Sequence, residues 1–377
     1  MTLAIYIHWP YCARICPYCD FNVYKQRENV ELITSIQSDL KEWRDWSGPR
    51  QVSSIHFGGG TPSLMTAEEI KSAIQSVSEL WGLGDDVEIA IEANPHDADA
   101  AKWTAYRAAG INRLSLGVQT FHDPALKLLG RDHHAAQARA ALKLAVETFP
   151  SVSLDIIFGW AGQTEALLNA DLDVAVNSGA QHISTYQLTI EDGTAFARAE
   201  ARGDIKAVNS DKSADFYDLV RARLMADGFE HYEVSNFART GHHSQHNLAY
   251  WKGRDYVGVG PGAHGRLTVE GTRYATIAEM RPQDYQDKVA ATGLGLAEKE
   301  PLSPTAWAEE YLLMGLRIED GISLARFEEI AGEGFPVSIM RQLATDGLLH
   351  YQEDSLKATN KGRLLLNSVT EKLLLFK

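Results

Sequence analysis

The chain has 377 residues, 45% of them apolar and 23% charged, with 36 Lys and Arg against 50 Asp and Glu for a formal net charge of −14. This is the composition of a soluble globular protein with an ample core; the acidic balance excludes a general nucleic-acid binder, which would present a basic face. No run reaches the roughly 18 apolar residues of a transmembrane helix, and the opening MTLAIYIHWPYC has neither the basic start nor the small-residue cleavage site of a secretory signal, so the cytoplasm is the expected compartment.

In chain order, β-rich runs alternate with amphipathic helical patterns. The runs are AIYIHW (4–9), VSSIHFG (52–58), VEIAIEA (87–93), RLSLGVQ (113–119), VSLDIIFG (152–159) and HISTYQLT (182–189). Helical patterns lie near 29–46, 66–81, 97–109, 133–148, 165–178 and 210–227. Thr66-Ala67-Glu68-Glu69 reads as a capping box at the start of the second helix. Alternating β and α units need crossovers and so predict a parallel sheet. Six units predict an α/β fold, a partial (β/α)6 TIM-like barrel, over 1–230.

The segment 231–300 holds HYEVSNFA (231–238), the polar stretch GHHSQHNLAYW (241–251) and the Gly-rich GVGPGAHG (258–265), and is read as an extension. From PLSPTAW (301–307) onward, helical patterns near 305–317, 323–332 and 336–346 precede a hairpin pattern in LLHYQEDSLKAT (348–359) and a helix to about 374. That order predicts a helical, winged-helix-like domain over 301–377. Its eight Lys and Arg against eleven Asp and Glu argue against DNA reading and for packing or partner docking.

All the cysteines sit in YCARICPYCDF: Cys12, Cys16 and Cys19, spaced C-x3-C-x2-C. Chance does not gather three apolar fillers in one Pro-flanked loop. A structural zinc site takes four ligands, often as two C-x2-C pairs; the first spacing is wrong, no second pair exists, and His8 lies in a strand pattern. An iron–sulfur cluster is the remaining reading. Three thiolates on four irons leave one iron open to another ligand.

With this spacing after the first strand, the chain resembles the radical S-adenosylmethionine (SAM) superfamily. The resemblance implies a [4Fe-4S] cluster on Cys12, Cys16 and Cys19, with SAM chelating the open iron and an electron from the cluster cleaving it to a 5′-deoxyadenosyl radical. Other motifs fall where a parallel barrel puts its chemistry, at strand ends. Strand two runs into Gly58-Gly59-Gly60-Thr61-Pro62, which lacks the G-K-[ST] of a phosphate loop. Strand three ends in Glu92 of IEANP, strand four in Gln119 of SLGVQTF; Arg131 follows in LGRDHH, and strand five contains Asp155. The resemblance implies that Gly59, Gly60, Thr61, Glu92, Gln119, Arg131 and Asp155 line the SAM site, with Tyr6 and Tyr18 beside the cluster. Taken singly, each carboxylate reads equally as an ion-pair partner and Arg131 as a surface charge.

Over nearly the whole chain, IYIHWPYC, CPYCDFN, HFGGGTPS, EANP, SLGVQTF, HISTYQLTIEDGT and HYEVSNFA resemble the oxygen-independent coproporphyrinogen III oxidase family. That family holds a radical dehydrogenase of porphyrin biosynthesis and a heme chaperone branch thought to deliver heme to respiratory proteins. The oxidases usually carry a fourth cysteine two residues after the third; here that place is Phe21. The chaperone branch carries H-N-x-x-Y-W, matched by His246-Asn247-Leu248-Ala249-Tyr250-Trp251. An imidazole is a competent heme ligand, so the resemblance implies heme binding with His246 as ligand. A histidine in a polar loop also reads as a plain hydrogen-bonding residue. The expectation is a heme-, cluster- and SAM-binding chaperone, with the dehydrogenase as the alternative and a purely structural cluster as the third reading. The motifs carry no reading of oligomeric state.

Overall fold

The computed structural model describes residues 2–25, 31–205 and 208–374. Six strands follow the predicted runs: β1 (Thr2–Trp9), β2 (Gln51–Gly59), β3 (Glu88–Ala93), β4 (Arg113–Gln119), β5 (Ser151–Phe158) and β6 (His182–Gln187). They are parallel and adjacent in chain order, as βα alternation requires. Between them run α1 (Leu32–Ser47), α2 (Ala67–Trp81), α3 (Ala100–Ala109), α4 (Asp123–Leu128), α5 (Ala135–Thr148) and α6 (Glu165–Asn177). The first helical pattern was expected from 29; residues 29 and 30 lie outside the described residues. At the start of α2 the capping box forms as read, Thr66 Oγ1 accepting from the Glu69 N–H at 3.2 Å and the Glu69 carboxylate from the Thr66 N–H at 2.7 Å.

Each parallel strand has two unlike faces. Ile5 and Ile7, Ile55 and Phe57, Ile89 and Ile91, Leu114 and Leu116, Val152 and Leu154 are buried under the helices. The alternate positions carry Tyr6, His8, His56, Glu92, Ser115, Asp155, Ser184 and Tyr186. A strand's side chains alternate with period two, so one register puts all the polar residues on a common inner face. Parallel sheets are usually apolar on both faces; this one is not, because its inner face lines a cleft.

Residues 231–300, set apart in the sequence reading, are built into the same sheet. After α7 (Ala195–Ala201) and α8 (Ser210–Ala226), β7 (Glu230–Glu233) and β8 (Asn236–Ala238) add antiparallel to the β6 edge. The short helix α9 (Gln245–Trp251) follows, and β9 (Asp255–Val259) then adds parallel to β1 at the other edge. Antiparallel strands β10 (His264–Val269), β11 (Thr272–Ala278) and β12 (Leu296–Pro301) complete a 12-stranded open sheet. Phe237, Val257, Leu267, Tyr285 and Leu296 belong to the same apolar core as the barrel strands, which is why no boundary falls at 230.

A second apolar core gathers Leu312, Leu316, Phe327, Leu343, Leu356 and Leu373. Its order is helix (Pro304–Gly315), strand (Ile322–Ser323), two helices (Leu324–Ala331, Val337–Thr345) and a hairpin (Leu349–Gln352, Ser355–Ala358), the winged-helix order expected from the sequence. It seats against the sheet through Arg317–Glu233 at 3.5 Å, Arg266–Glu310 at 2.7 Å and Lys252–Asp320 at 2.8 Å, with the Arg317 guanidinium over the Trp251 ring. Among the described residues no helix is long and apolar enough to cross a membrane.

Candidate functional site

The carboxyl ends of the parallel strands open into a cavity of about 420 Å³. Cys12, Cys16 and Cys19 line it, with Tyr18, Gly59, Gly60, Thr61, Glu92, Gln119, Arg131 and Asp155. Thus the loop after β1 and the ends of β2 to β5 meet at one place, where the sequence reading set them in register.

The cysteine loop is held rigidly from outside. Gly60 and Thr61 donate their amides to the carbonyls of Trp9 and Tyr11 at 2.7 and 2.8 Å. A Cβ on Gly60 would lie 2.7 Å from the Tyr11 carbonyl oxygen and 2.9 Å from Pro10 C, both backbone. A Cβ on Gly59 would meet the His8 ring at 2.6 Å, and φ there is +108°. Gly59 and Gly60 line the cavity, and their missing side chains also let the strand-two turn lie directly on the cysteine loop. Pro17 packs on Gly130, whose Cβ would sit 2.5 Å from Pro17 Cδ, and the Asn22 amide donates to the carbonyls of Pro261 and Met280 at 3.0 and 2.8 Å.

All three thiols are free. Burial pushes the Cys19 thiol up to about 11 and raises that of Cys12 as well. The thiolate is the ligand form, so metal loading here releases protons. Among the described residues no three Cys, His, Asp or Glu side chains converge tightly enough to hold one ion. A cluster takes each thiolate on a separate iron, so the three thiols need not converge on one ion.

Arg131 spans the cleft. One guanidinium nitrogen donates to Cys16 Sγ and Tyr18 Oη, both at 3.4 Å; the other donates to the Gly117 carbonyl at 2.8 Å and to Asn94 Oδ1. Its Nε is buried and has no partner among the described residues. Asn94 in turn donates to Thr61 Oγ1 at 3.2 Å, and Thr61 Oγ1 to Cys12 Sγ at 3.5 Å. On the facing wall, Asp155 accepts from Ser115 Oγ at 2.9 Å, and burial pushes its carboxyl up to about 6. Glu92 accepts from His56 Nε2 at 3.0 Å and from the Gly59 N–H at 3.3 Å. Gln119 has φ +70°, a left-handed backbone that costs a non-glycine residue of order 1–3 kcal/mol and marks functional sites; the β4–β5 register slips beside it.

Two predicted residues lie elsewhere. Tyr6 is not in the cavity wall: it stands a layer deeper, its hydroxyl 3.0 Å from His8 Nδ1 and its ring stacked toward His56 at 6.1 Å. His246, expected in a polar loop as the heme ligand, is buried on α9 inside the lower end of the barrel. Its Nδ1 lies 2.9 Å from Ser54 Oγ and its Nε2 2.5 Å from Tyr250 Oη, so neither nitrogen is offered to an iron. Burial, with His56 alongside, holds this imidazole well below the usual histidine range and neutral. It is there because Glu88 on β3 accepts from the backbone N–H groups of Gln245 and His246 at 3.1 and 3.0 Å, fixing the start of α9 under the sheet. Asn94, Ser115 and Tyr186 also line the cavity and were not singled out from sequence. Asn94 lies within the quoted EANP, while Ser115 and Tyr186 occupy inner positions of alternating strands.

The donor set fits a cluster with a bound polar cofactor: three free thiols on one turn, a guanidinium turned to one of them with a spare donor, and two carboxylates opposite. Fold and cleft together define a radical SAM protein. The Radical SAM superfamily model matches residues 6–174, and the HemN C-terminal domain model residues 302–365. The heme chaperone HemW of Bacillus subtilis (strain 168) is 34% identical over 371 residues, covering 97% of each chain. Radical S-adenosyl methionine domain-containing protein 1, mitochondrial, of Bos taurus is 36% identical, covering 98% of this chain and 87% of that protein. The structure of coproporphyrinogen III oxidase (HemN) from Escherichia coli shares the fold, with a TM-score of 0.82 at 22% identity over 98% of this chain and 89% of that one. The chain belongs to the HemN/HemW family of the radical SAM superfamily.

Proposed function

We propose that this protein is a heme chaperone that holds one [4Fe-4S] cluster on Cys12, Cys16 and Cys19, binds SAM in the adjoining cleft, and passes heme to respiratory hemoproteins in the cytoplasm. The observation that carries the reading is the cleft itself, in which three free thiols face Arg131, Glu92 and Asp155 across one cavity. A purely structural cluster would not need that polar wall. Bound and reduced, such a cluster supplies an electron to SAM.

The chain's own groups bind and orient. Arg131 is set to hold Cys16 in place and brings a positive charge to the cleft wall, where a carboxylate can pair with it. Glu92 and Asp155 are acceptors for ammonium or hydroxyl groups, and Tyr18 closes the wall beside the thiols. The chaperone reading is favoured over the dehydrogenase by Phe21, which is 64% exposed at the cleft rim where the oxidases usually place a cysteine, and by relatives named heme chaperones. His246 has no part in heme ligation in this reading. Turnover of coproporphyrinogen III with SAM and a reductant tests it: no decarboxylation is expected, while heme added to the protein should move to an apo-hemoprotein. Sustained vinyl formation would establish the dehydrogenase instead.

A further inference from the structure

Beneath the cleft carboxylate Glu92 lies a group of packed rings, to which the sequence motif HNLAYW contributes His246 and Tyr250. Among the described residues Glu92 has two anchors, His56 Nε2 at 3.0 Å and the Gly59 N–H at 3.3 Å. His56 is therefore the side chain that sets where the carboxylate points. Yet among the described residues the His56 ring has no second hydrogen bond, its Nδ1 being buried without a partner. A ring tethered at one nitrogen is free to tilt about that bond unless its neighbours hold it.

Two rings pack against it. His246 covers one face, parallel to His56 with centroids 4.8 Å apart and planes within 16°. Tyr6 lies 6.1 Å from both His56 and His246, so the three rings form a triangle that braces His56 from one side. The His246 plane is itself fixed, because each of its nitrogens has a partner in either tautomer: Ser54 Oγ at 2.9 Å and Tyr250 Oη at 2.5 Å. Tyr250 is braced edge-on by Tyr256 at 4.4 Å. The helix carrying His246 and Tyr250 is tied to β3 by Glu88, which also pairs with Arg113 at 3.3 Å. The packing leaves no slack beside the stack: a Cβ on Gly58 would lie 2.9 Å from Tyr6 Cε2 and 3.0 Å from both Glu92 Oε1 and His56 Cδ2.

We infer that His246, fixed by Ser54 and Tyr250, is a positioning residue that holds the His56 ring in plane and thereby aims Glu92 into the cleft. This rests on the proposed reading of the cleft as the SAM site, and it gives the HNLAYW motif a role in cofactor binding in place of heme ligation. A hydrogen-bonded imidazole is a rigid slab; an aliphatic side chain of similar volume is not, and a phenyl ring restores the slab without offering a metal ligand.

The test is the affinity of the full-length, anaerobically reconstituted protein for SAM, by equilibrium dialysis, with iron content measured on each sample. His246→Leu and His56→Leu should each weaken SAM binding by about tenfold with iron retained, and the double variant should be no worse than His56→Leu to within about twofold, because both act through one carboxylate. His246→Phe combined with Tyr250→Phe should bring affinity back to within about threefold of the parent, since the ring plane is kept. Parental SAM affinity in His246→Leu, with Glu92→Gln weakened, overturns the positioning role and leaves the SAM reading standing. Parental affinity in Glu92→Gln removes the SAM reading at this residue and the positioning role with it. If His246→Leu does not fold, Tyr250→Phe alone should weaken SAM by about threefold, and parental affinity there overturns the inference.

Discussion

Glu88 offers the sharpest test of how the barrel floor is built. Its carboxylate accepts from the N–H groups of Gln245 and His246 and sits 3.3 Å from Arg113, with both side chains nearly fully buried. Arg113 also donates twice to the His242 carbonyl at 3.1 Å, but those partners carry no charge. Glu88→Ala leaves a buried guanidinium unpaired, which costs about 3–5 kcal/mol. It also strands two helix-start amides, worth about 1–3 kcal/mol each where water cannot reach. These terms overlap, because α9 shifts once its anchor is gone, so a net loss of about 4 kcal/mol is expected, roughly 5 °C in melting temperature for a chain of this length. Glu88→Gln keeps one acceptor oxygen and should lose about half of that. The double variant Glu88→Leu, Arg113→Met removes both charges and should be less destabilised than Glu88→Ala alone. Urea and thermal unfolding of the apo-protein followed by circular dichroism give the answer. A Glu88→Ala loss below about 1 kcal/mol, or a double variant worse than the single, would refute the reasoning.

Gly60→Ala drives a Cβ into the Tyr11 and Trp9 carbonyls; overpacking against backbone should cost about 1–3 kcal/mol and lower the iron content after reconstitution although every thiol remains, while Gly84→Ala, whose Cβ meets nothing within 4 Å, should match the parent in both. Asp39 is fully buried, accepting from Tyr285 Oη at 2.6 Å and the Gly295 N–H at 3.2 Å, and burial pushes its carboxyl up to about 7. A pKa raised above the unfolded value of about 3.9 means the folded state holds the extra proton. Its contribution to stability is therefore full below about pH 4 and lost as pH rises through about 7. Asp39→Asn should flatten that slope in urea midpoints measured across the window, and an unchanged slope would contradict the assignment. Arg131→Met should weaken SAM binding and leave Cys16 less firmly held, read as faster iron loss to a chelator; a parental rate would remove Arg131 as the loop's anchor.

Much of the cleft was legible because its residues lie at strand ends in fixed order. The C-x3-C-x2-C loop, GGGTP, Glu92, Gln119, Arg131 and Asp155 are local signals, and βα alternation alone carries strand ends to one rim. The period-two pattern in RLSLGVQ, VSLDIIF and HISTYQ also held the lumen residues Ser115 and Tyr186, had the polar alternates been counted as an inner face. What was not legible rests on long-range contact. Nothing near QHNLAYW signals that Glu88, in a distant strand, receives the helix start and turns His246 inward. The strand β9 is a short DYVGV beside a Gly-rich turn, and its parallel partner β1 lies at the other end of the barrel's sequence. The family resemblance puts Tyr6 beside the thiols, whereas in the fold its ring packs toward His56.

The cluster claim is tested most directly by adding SAM to the reduced, anaerobically reconstituted protein and recording its electron paramagnetic resonance spectrum. With Cys12, Cys16 and Cys19 on three irons and the fourth open, about four irons and four sulfides per chain are expected, and SAM should shift the cluster signal, with signal and shift both lost in Cys16→Ala. A full cluster retained in Cys16→Ala, or a spectrum indifferent to SAM, would contradict the account.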